Sequence, residues 1–111
     1  MDAKTLFDEK LPRSFEKNPE RAKTLDAIYL FKITGERGGS WTVNLKGEPK
    51  VTPGEATPPE CTIEITDEDF EALTSDATGQ LGIQLFFQGK IKISGDPVLA
   101  TKLQTIFSLG K

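Results

Sequence analysis

The residues here that could do chemistry are few. Asp67, Glu68 and Asp69 are three consecutive carboxylates, material for a metal site or an acid–base pair. Cys61 is the single cysteine and Tyr29 the single tyrosine, each a candidate nucleophile or proton carrier. Gly35, Gly38 and Gly39 crowd a GERGG run of the kind that can approach a phosphate. Each has a plainer reading. Consecutive carboxylates at a helix start diverge in direction, and these follow Thr66 in a capping-box pattern suited to the positive end of a helix dipole. Cys61 alternates with Ile63 and Ile65 and has no basic neighbour in sequence, which makes it a buried, inert thiol. No helix follows the glycines, so they form a hairpin turn rather than a phosphate loop. The chain has no histidine, which removes Ser–His and Cys–His pairs and every histidine-based metal site. An enzyme would have to work with carboxylates, lysines or the single tyrosine, and the specific rival is a small isomerase or hydrolase that uses a buried carboxylate with Tyr29. Tyr29 lies in a strand and no acid falls at an inward position.

These residues are held by elements that alternate or cap clearly. The segment FFQGKIKISGDP (86–97) is the most instructive. Lys90, Lys92 and Ser94 fall on one face of a strand and Ile91 and Ile93 on the other. Asp96 reads as an N-cap with Pro97 as the first helical residue, and Gly89 and Gly95 permit sharp turns at the two strand ends. Strands are predicted at 28–34, 40–46, 50–52, 61–66 and 90–94. The first two form a hairpin, with Tyr29, Phe31, Ile33, Trp41, Val43 and Leu45 facing inward, although Ile28 and Leu30 spoil the alternation. Helices are predicted at 4–16, kinked or interrupted at Pro12, at 18–24 with Asn18 as cap, from Asp67 through Phe70 and Leu73, at about 80–87, and as one continuous helix from Pro97 to about Leu109. Strands that are wet on one side call for helices on the other, so the fold class is α+β: a two-layer, mostly antiparallel five-stranded sheet covered on one face.

A chain of 111 residues is one domain, 1–111. Folding buries somewhat more than about 60% of the unfolded surface at this size, enough for one core and a modest cavity. The net charge is -3, and a weakly acidic chain without a basic cluster is a poor nucleic-acid binder. One cysteine cannot form an internal disulfide, the start Met1-Asp2-Ala3-Lys4 lacks a signal-peptide core, and no apolar run approaches a membrane span. A cytoplasmic location or an organelle matrix is expected.

The order of these pieces resembles the sterol carrier protein 2 domain. The points of contact are PERAKTLDAIYLF (19–31), ITGERGGSW (33–41) followed by TVNLKG (42–47), ECTIEITDEDFEAL (60–73), and FFQGKIKISGD (86–96) followed by LATKLQ (99–104). The resemblance implies a hydrophobic tunnel between the helices and the inner sheet face, and non-enzymatic binding of sterols, fatty acids, acyl-CoA or other lipids. It implies no cofactor, and it is compatible with transient membrane contact and with a peroxisomal matrix. The chain ends Leu109-Gly110-Lys111, which is not a peroxisomal targeting tripeptide. The segment SDATGQLGIQL (75–85) departs from the family pattern by being longer and lacking a proline, and it bears on the shape of the tunnel mouth.

With that resemblance, the apolar residues Phe70, Leu73, Leu81, Ile83, Leu85, Phe86, Phe87, Leu99, Leu103, Ile106 and Phe107 become candidate tunnel lining, about half of them touching ligand and the rest ordinary core. Gln88 and Gln104 are candidates to hydrogen-bond a headgroup. Trp41 joins them from the inward sheet face, where a core role competes. The alternative to a carrier is a structural or protein-interaction module with a collapsed cavity. The lipid and the oligomeric state stay open at this level.

Overall fold

Strands β1 (Ile28–Thr34) and β2 (Gly39–Asn44) form the expected hairpin, antiparallel from Ile28 opposite Asn44 to Ile33 opposite Gly39. Strand β3 (Lys50–Pro53) lies antiparallel to β2. The chain then crosses back, and β4 (Cys61–Thr66) pairs with the free side of β1 in parallel, Tyr29 opposite Cys61. Strand β5 (Lys92–Gly95) closes the far edge antiparallel to β4, with Ile63 opposite Ile93. The order is β3-β2-β1-β4-β5, so the sheet is five-stranded and mostly antiparallel, with one parallel pair at its centre. This computed structural model describes residues 2–76 and 80–110.

The N-terminal helical run is α1 (Ala3–Thr5), a π-helical turn (Leu6–Lys10) and α2 (Leu11–Lys17). The interruption expected at Pro12 falls at the π turn just before it. The wider π turn ends with the Leu11 N–H donating to the Leu6 carbonyl, and Pro12 falls in the first turn of α2, where its missing N–H costs little. Helix α3 (Pro19–Lys23) follows, capped by the Asn18 side chain. Helix α4 (Asp67–Ser75) starts where the capping pattern puts it, with the Asp69 N–H donating to Thr66 Oγ1 at 3.2 Å. Helix α5 (Gln80–Phe87) matches its predicted span.

Helices and sheet meet in an aromatic core. The Phe7 ring lies 4.9 Å from Phe31, 4.9 Å from Trp41 and 5.6 Å from Phe70, and Phe70 meets Phe107 edge-on at 5.6 Å. The opposite sheet face is drier than expected. Leu30 and Thr42 are buried there. The crossing loop after β3 covers them: Thr42 Oγ1 donates to the Gly54 carbonyl and accepts from the Ala56 N–H, and Lys32 pairs with Glu55 at 3.7 Å. This explains why Leu30 breaks the alternation of β1. Among the described residues, no helix is long and apolar enough to cross a membrane.

Candidate ligand cavity

The C-terminal segment is where sequence and structure part. One continuous helix was expected from Pro97 to about Leu109, but two form, α6 (Pro97–Ala100) and α7 (Leu103–Leu109). Asp96 caps α6 as expected, accepting from the Val98 N–H at 2.9 Å. At the break, the N–H groups of Thr101 and Lys102 reach back only three residues, to Val98 and Leu99, and Thr101 Oγ1 donates to the Val98 carbonyl at 2.6 Å. Such tightened turns with a back-bonding hydroxyl re-aim a helix. Gly95 fixes where this begins. Its φ is +95°, and a Cβ there would run into the Glu60 carbonyl, so only glycine lets β5 end this close to the neighbouring chain.

The consequence is a cavity of about 580 Å³ between α5, β5 and the α6–α7 pair. Helix α5 contributes Gly82, Ile83, Phe86 and Phe87, and the β5 segment Ile91, Ile93 and Gly95. Pro97, Ala100, Thr101, Leu103 and Gln104 form the opposite wall, with Leu73 and Phe107 at the buried end. Among the described residues, Thr101 and Gln104 are the only polar side chains in that lining. At the mouth, Ile83, Phe86 and Phe87 are 60%, 50% and 82% exposed.

Of the candidate residues, Leu73, Ile83, Phe86, Phe87, Leu103, Gln104 and Phe107 reach this cavity. The others do not. Trp41 is core: it stacks on Phe7, and its Nε1–H donates to Asp8 at 3.0 Å. Phe70, Leu85, Leu99 and Ile106 are buried in the core, and Leu81 packs against it half-buried. Gln88 follows the end of α5 and is exposed. The space therefore lies at the β5 edge of the sheet, since the N-terminal helices fill the region above β1 and β2. Residues 77–79, part of the segment expected to shape the mouth, lie outside the described residues.

The sequence reading missed Gly82, Ile91, Ile93, Gly95, Pro97, Ala100 and Thr101 as lining. Ile91 and Ile93 carried a usable signal, the apolar face of the strand predicted at 90–94, of which the structure forms Lys92–Gly95. The glycines and Pro97 were read only for backbone geometry.

The reactive groups considered first are committed elsewhere. Tyr29 is buried, its hydroxyl donates to the Leu99 carbonyl at 2.8 Å, and burial pushes the phenol far above its usual range. Burial likewise pushes the Cys61 thiol up. Asp67 binds the hairpin turn to α4. It accepts from the Arg37 N–H at 3.0 Å and from the Glu68 N–H at 2.9 Å, while the Arg37 guanidinium bridges Asp67 at 3.7 Å and Glu71 at 2.7 Å. Those hydrogen bonds, that from Arg37 first, hold its carboxyl below the usual carboxylate range.

Comparison with known proteins agrees with this architecture. Sterol carrier protein 2 of Homo sapiens is 37% identical over 109 residues, which is 94% of this chain and 19% of the human protein. The chain thus spans about a fifth of the length of such relatives. Peroxisomal multifunctional enzyme A of Dictyostelium discoideum is 38% identical over 99 residues, 86% of this chain and 22% of that protein. Among solved structures, palmitated SCP2L2 from Aedes aegypti superposes with a TM-score of 0.71 at 27% identity, covering 96% of this chain and 95% of that one. The sterol carrier protein domain 2 of Helicoverpa armigera gives 0.71 at 31% identity, covering 94% and 84%. The SCP-2 sterol transfer family model matches residues 7–108, and the chain belongs to that family.

Proposed function

We propose that residues 1–111 act as one non-catalytic domain that binds a hydrophobic small molecule, a fatty acid, fatty acyl-CoA, sterol or similar lipid, and transfers or presents it. The observation that carries this reading is the cavity of about 580 Å³ with, among the described residues, only Thr101 and Gln104 as polar lining. Sites of this volume and composition bury the apolar body of a ligand and use a few polar groups to orient it. A relative of the same fold holds palmitate. The seven candidate residues that reach the cavity, joined by Ile91, Ile93 and Ala100, are the proposed ligand contacts. The domain works in an aqueous compartment, the cytoplasm or a peroxisomal matrix, without nucleic acid.

Catalysis by this chain's own residues has no support in the cavity, whose lining among the described residues holds no acid, base or nucleophile beyond the Thr101 hydroxyl. That hydroxyl already donates to a backbone carbonyl. Where relatives are multifunctional enzymes, this domain's share is the carrier's. Native mass spectrometry of the protein as purified, then mixed with palmitate, tests the reading. A lipid adduct at one-to-one stoichiometry supports it. A clean apo mass with no uptake refutes it in favour of a structural module.

A further inference from the structure

Gly82 is the one described glycine that the backbone does not need. The other described glycines have positive φ, or would drive a Cβ into a neighbouring carbonyl or side chain. Gly82 has neither reason. It lies inside α5 with ordinary helical backbone, where glycine is less stable than alanine. Among the described residues, a Cβ on it would touch only the tip of Leu73, Cδ1, at 3.3 Å. That tip is the end of a flexible side chain and yields a few tenths of an ångström easily. Folding alone therefore favours alanine at this position.

Seating a neighbour does not explain the glycine either. Side chains on a helix lean toward its N-terminus, so Phe86 leans back over the turn that carries Gly82. No atom of that ring comes within 4 Å of where the Cβ would stand. What surrounds the missing side chain is the cavity. Gly82 and Leu73 both line it, and Leu73 is buried at its inner end. The wall that α5 supplies thus steps from Phe86 and Phe87 at the mouth to bare backbone one turn further in, leaving a notch beside Leu73.

We infer that Gly82 is a selectivity residue: the notch beside Leu73 admits an apolar body broader than a straight chain, and a side chain at this position restricts the cavity to unbranched tails. A straight tail is flexible and passes to one side of an added methyl. A branched or ring-bearing body has no such freedom, and forcing it against a packed wall is costly. The inference rests on the carrier reading, because it says which ligands the cavity accepts. It also accounts for a helix position that sacrifices stability.

The test compares palmitate with its derivative carrying a methyl on every fourth carbon. The two share chain and carboxylate and differ only in width. Titration calorimetry below micelle formation gives both Kd values for the parent and for Gly82→Ala. The parent should bind the branched acid at least as tightly as palmitate. Gly82→Ala should weaken the branched acid about tenfold and palmitate less than about twofold. The same variant should melt about 4 °C higher, which certifies its fold. A parent that binds palmitate but not the branched acid overturns the inference. So does a ratio of the two Kd values that Gly82→Ala leaves unchanged. A lower melting temperature for Gly82→Ala overturns it too, since the glycine would then serve packing. Each of these results leaves the carrier reading standing. A parent that takes up neither acid refutes the carrier reading, and the inference falls with it.

Discussion

Stabilisation by ligands of increasing tail length is the sharpest test of the cavity. The perturbation is a series of saturated fatty acids, each two methylenes longer than the last, at one matched free concentration below micelle formation. Each fully buried methylene contributes about 0.8 kcal/mol, or roughly a fourfold step in Kd. Ligand that binds only the native state stabilises it by mass action, so once ligand exceeds Kd the whole of each increment appears as stability. For 111 residues the unfolding entropy is about 0.23 kcal/mol/K, and two methylenes then raise Tm by about 7 °C. The mouth at Ile83, Phe86 and Phe87 is open to water, so methylenes lying there are only partly buried and their steps shrink to about 3 °C. The series should therefore climb, flatten as the tail reaches the mouth, and stop. Salt should change it little, because the lining holds no charged side chain among the described residues. Differential scanning calorimetry reads the shifts. A Tm gain that ignores tail length and collapses in salt would mean anion binding at the surface, and the cavity would not be the site.

Three further outcomes follow from particular contacts. Leu103→Asp should abolish palmitate uptake, because an unpaired charge in an apolar lining is costly, while Thr105→Asp on the exposed side of α7 should retain it; equal uptake by the two, read by native mass spectrometry, would overturn the orientation of α7. Tyr29→Phe should cost about 1 kcal/mol in urea unfolding, because the Leu99 carbonyl keeps the Lys102 N–H but loses the buried hydroxyl, with palmitate uptake retained; lost uptake at unchanged stability would give the hydroxyl a functional role. Asp67 is held below its usual pKa, so its contribution is present above about pH 4 and is lost as pH falls through the lowered folded value. Asp67→Asn should therefore be less stable than the parent at neutral pH and should converge with it in urea melts toward pH 2, whereas a gap that persists at low pH would point to lost packing instead.

How much was legible depended on whether a signal was local. Period-two alternation placed β1 and β4 to the residue and aimed Tyr29, Phe31, Cys61 and Ile63 inward. Caps were equally readable, because Asn18, Thr66 and Asp96 act on N–H groups two or three residues away. The break at Thr101–Lys102 was not readable, since neither residue forbids a helix and the stripe Leu99, Leu103, Ile106 and Phe107 has helical spacing throughout. The π turn beside Pro12 was hidden for a similar reason. The sequence announces a proline but not which of two adjustments will absorb it. Core and cavity lining were indistinguishable because both are built from the same apolar residues. Phe70 and Phe107 carry the same pattern, yet only Phe107 reaches the cavity.

The location of the cavity follows from how the two ends of the sheet are covered. Above β1 and β2, Phe7 inserts one ring among Phe31, Trp41 and Phe70, leaving no room for a ligand. Above β5 nothing comparable is available. The strand is four residues long, contributes only Ile93 to the inner face, with Ile91 just before it, and ends at a glycine crowded against the Glu60 carbonyl. The helices that should cover it are short, and their break turns Leu99 down into the core while Leu103 remains at the cavity wall. A continuous α6–α7 helix would present Leu99 and Leu103 on one stripe and draw both onto the sheet. The aromatic end stabilises the fold, which leaves the β5 end free to stay open, and the mismatch between short elements and the sheet they cover creates the site.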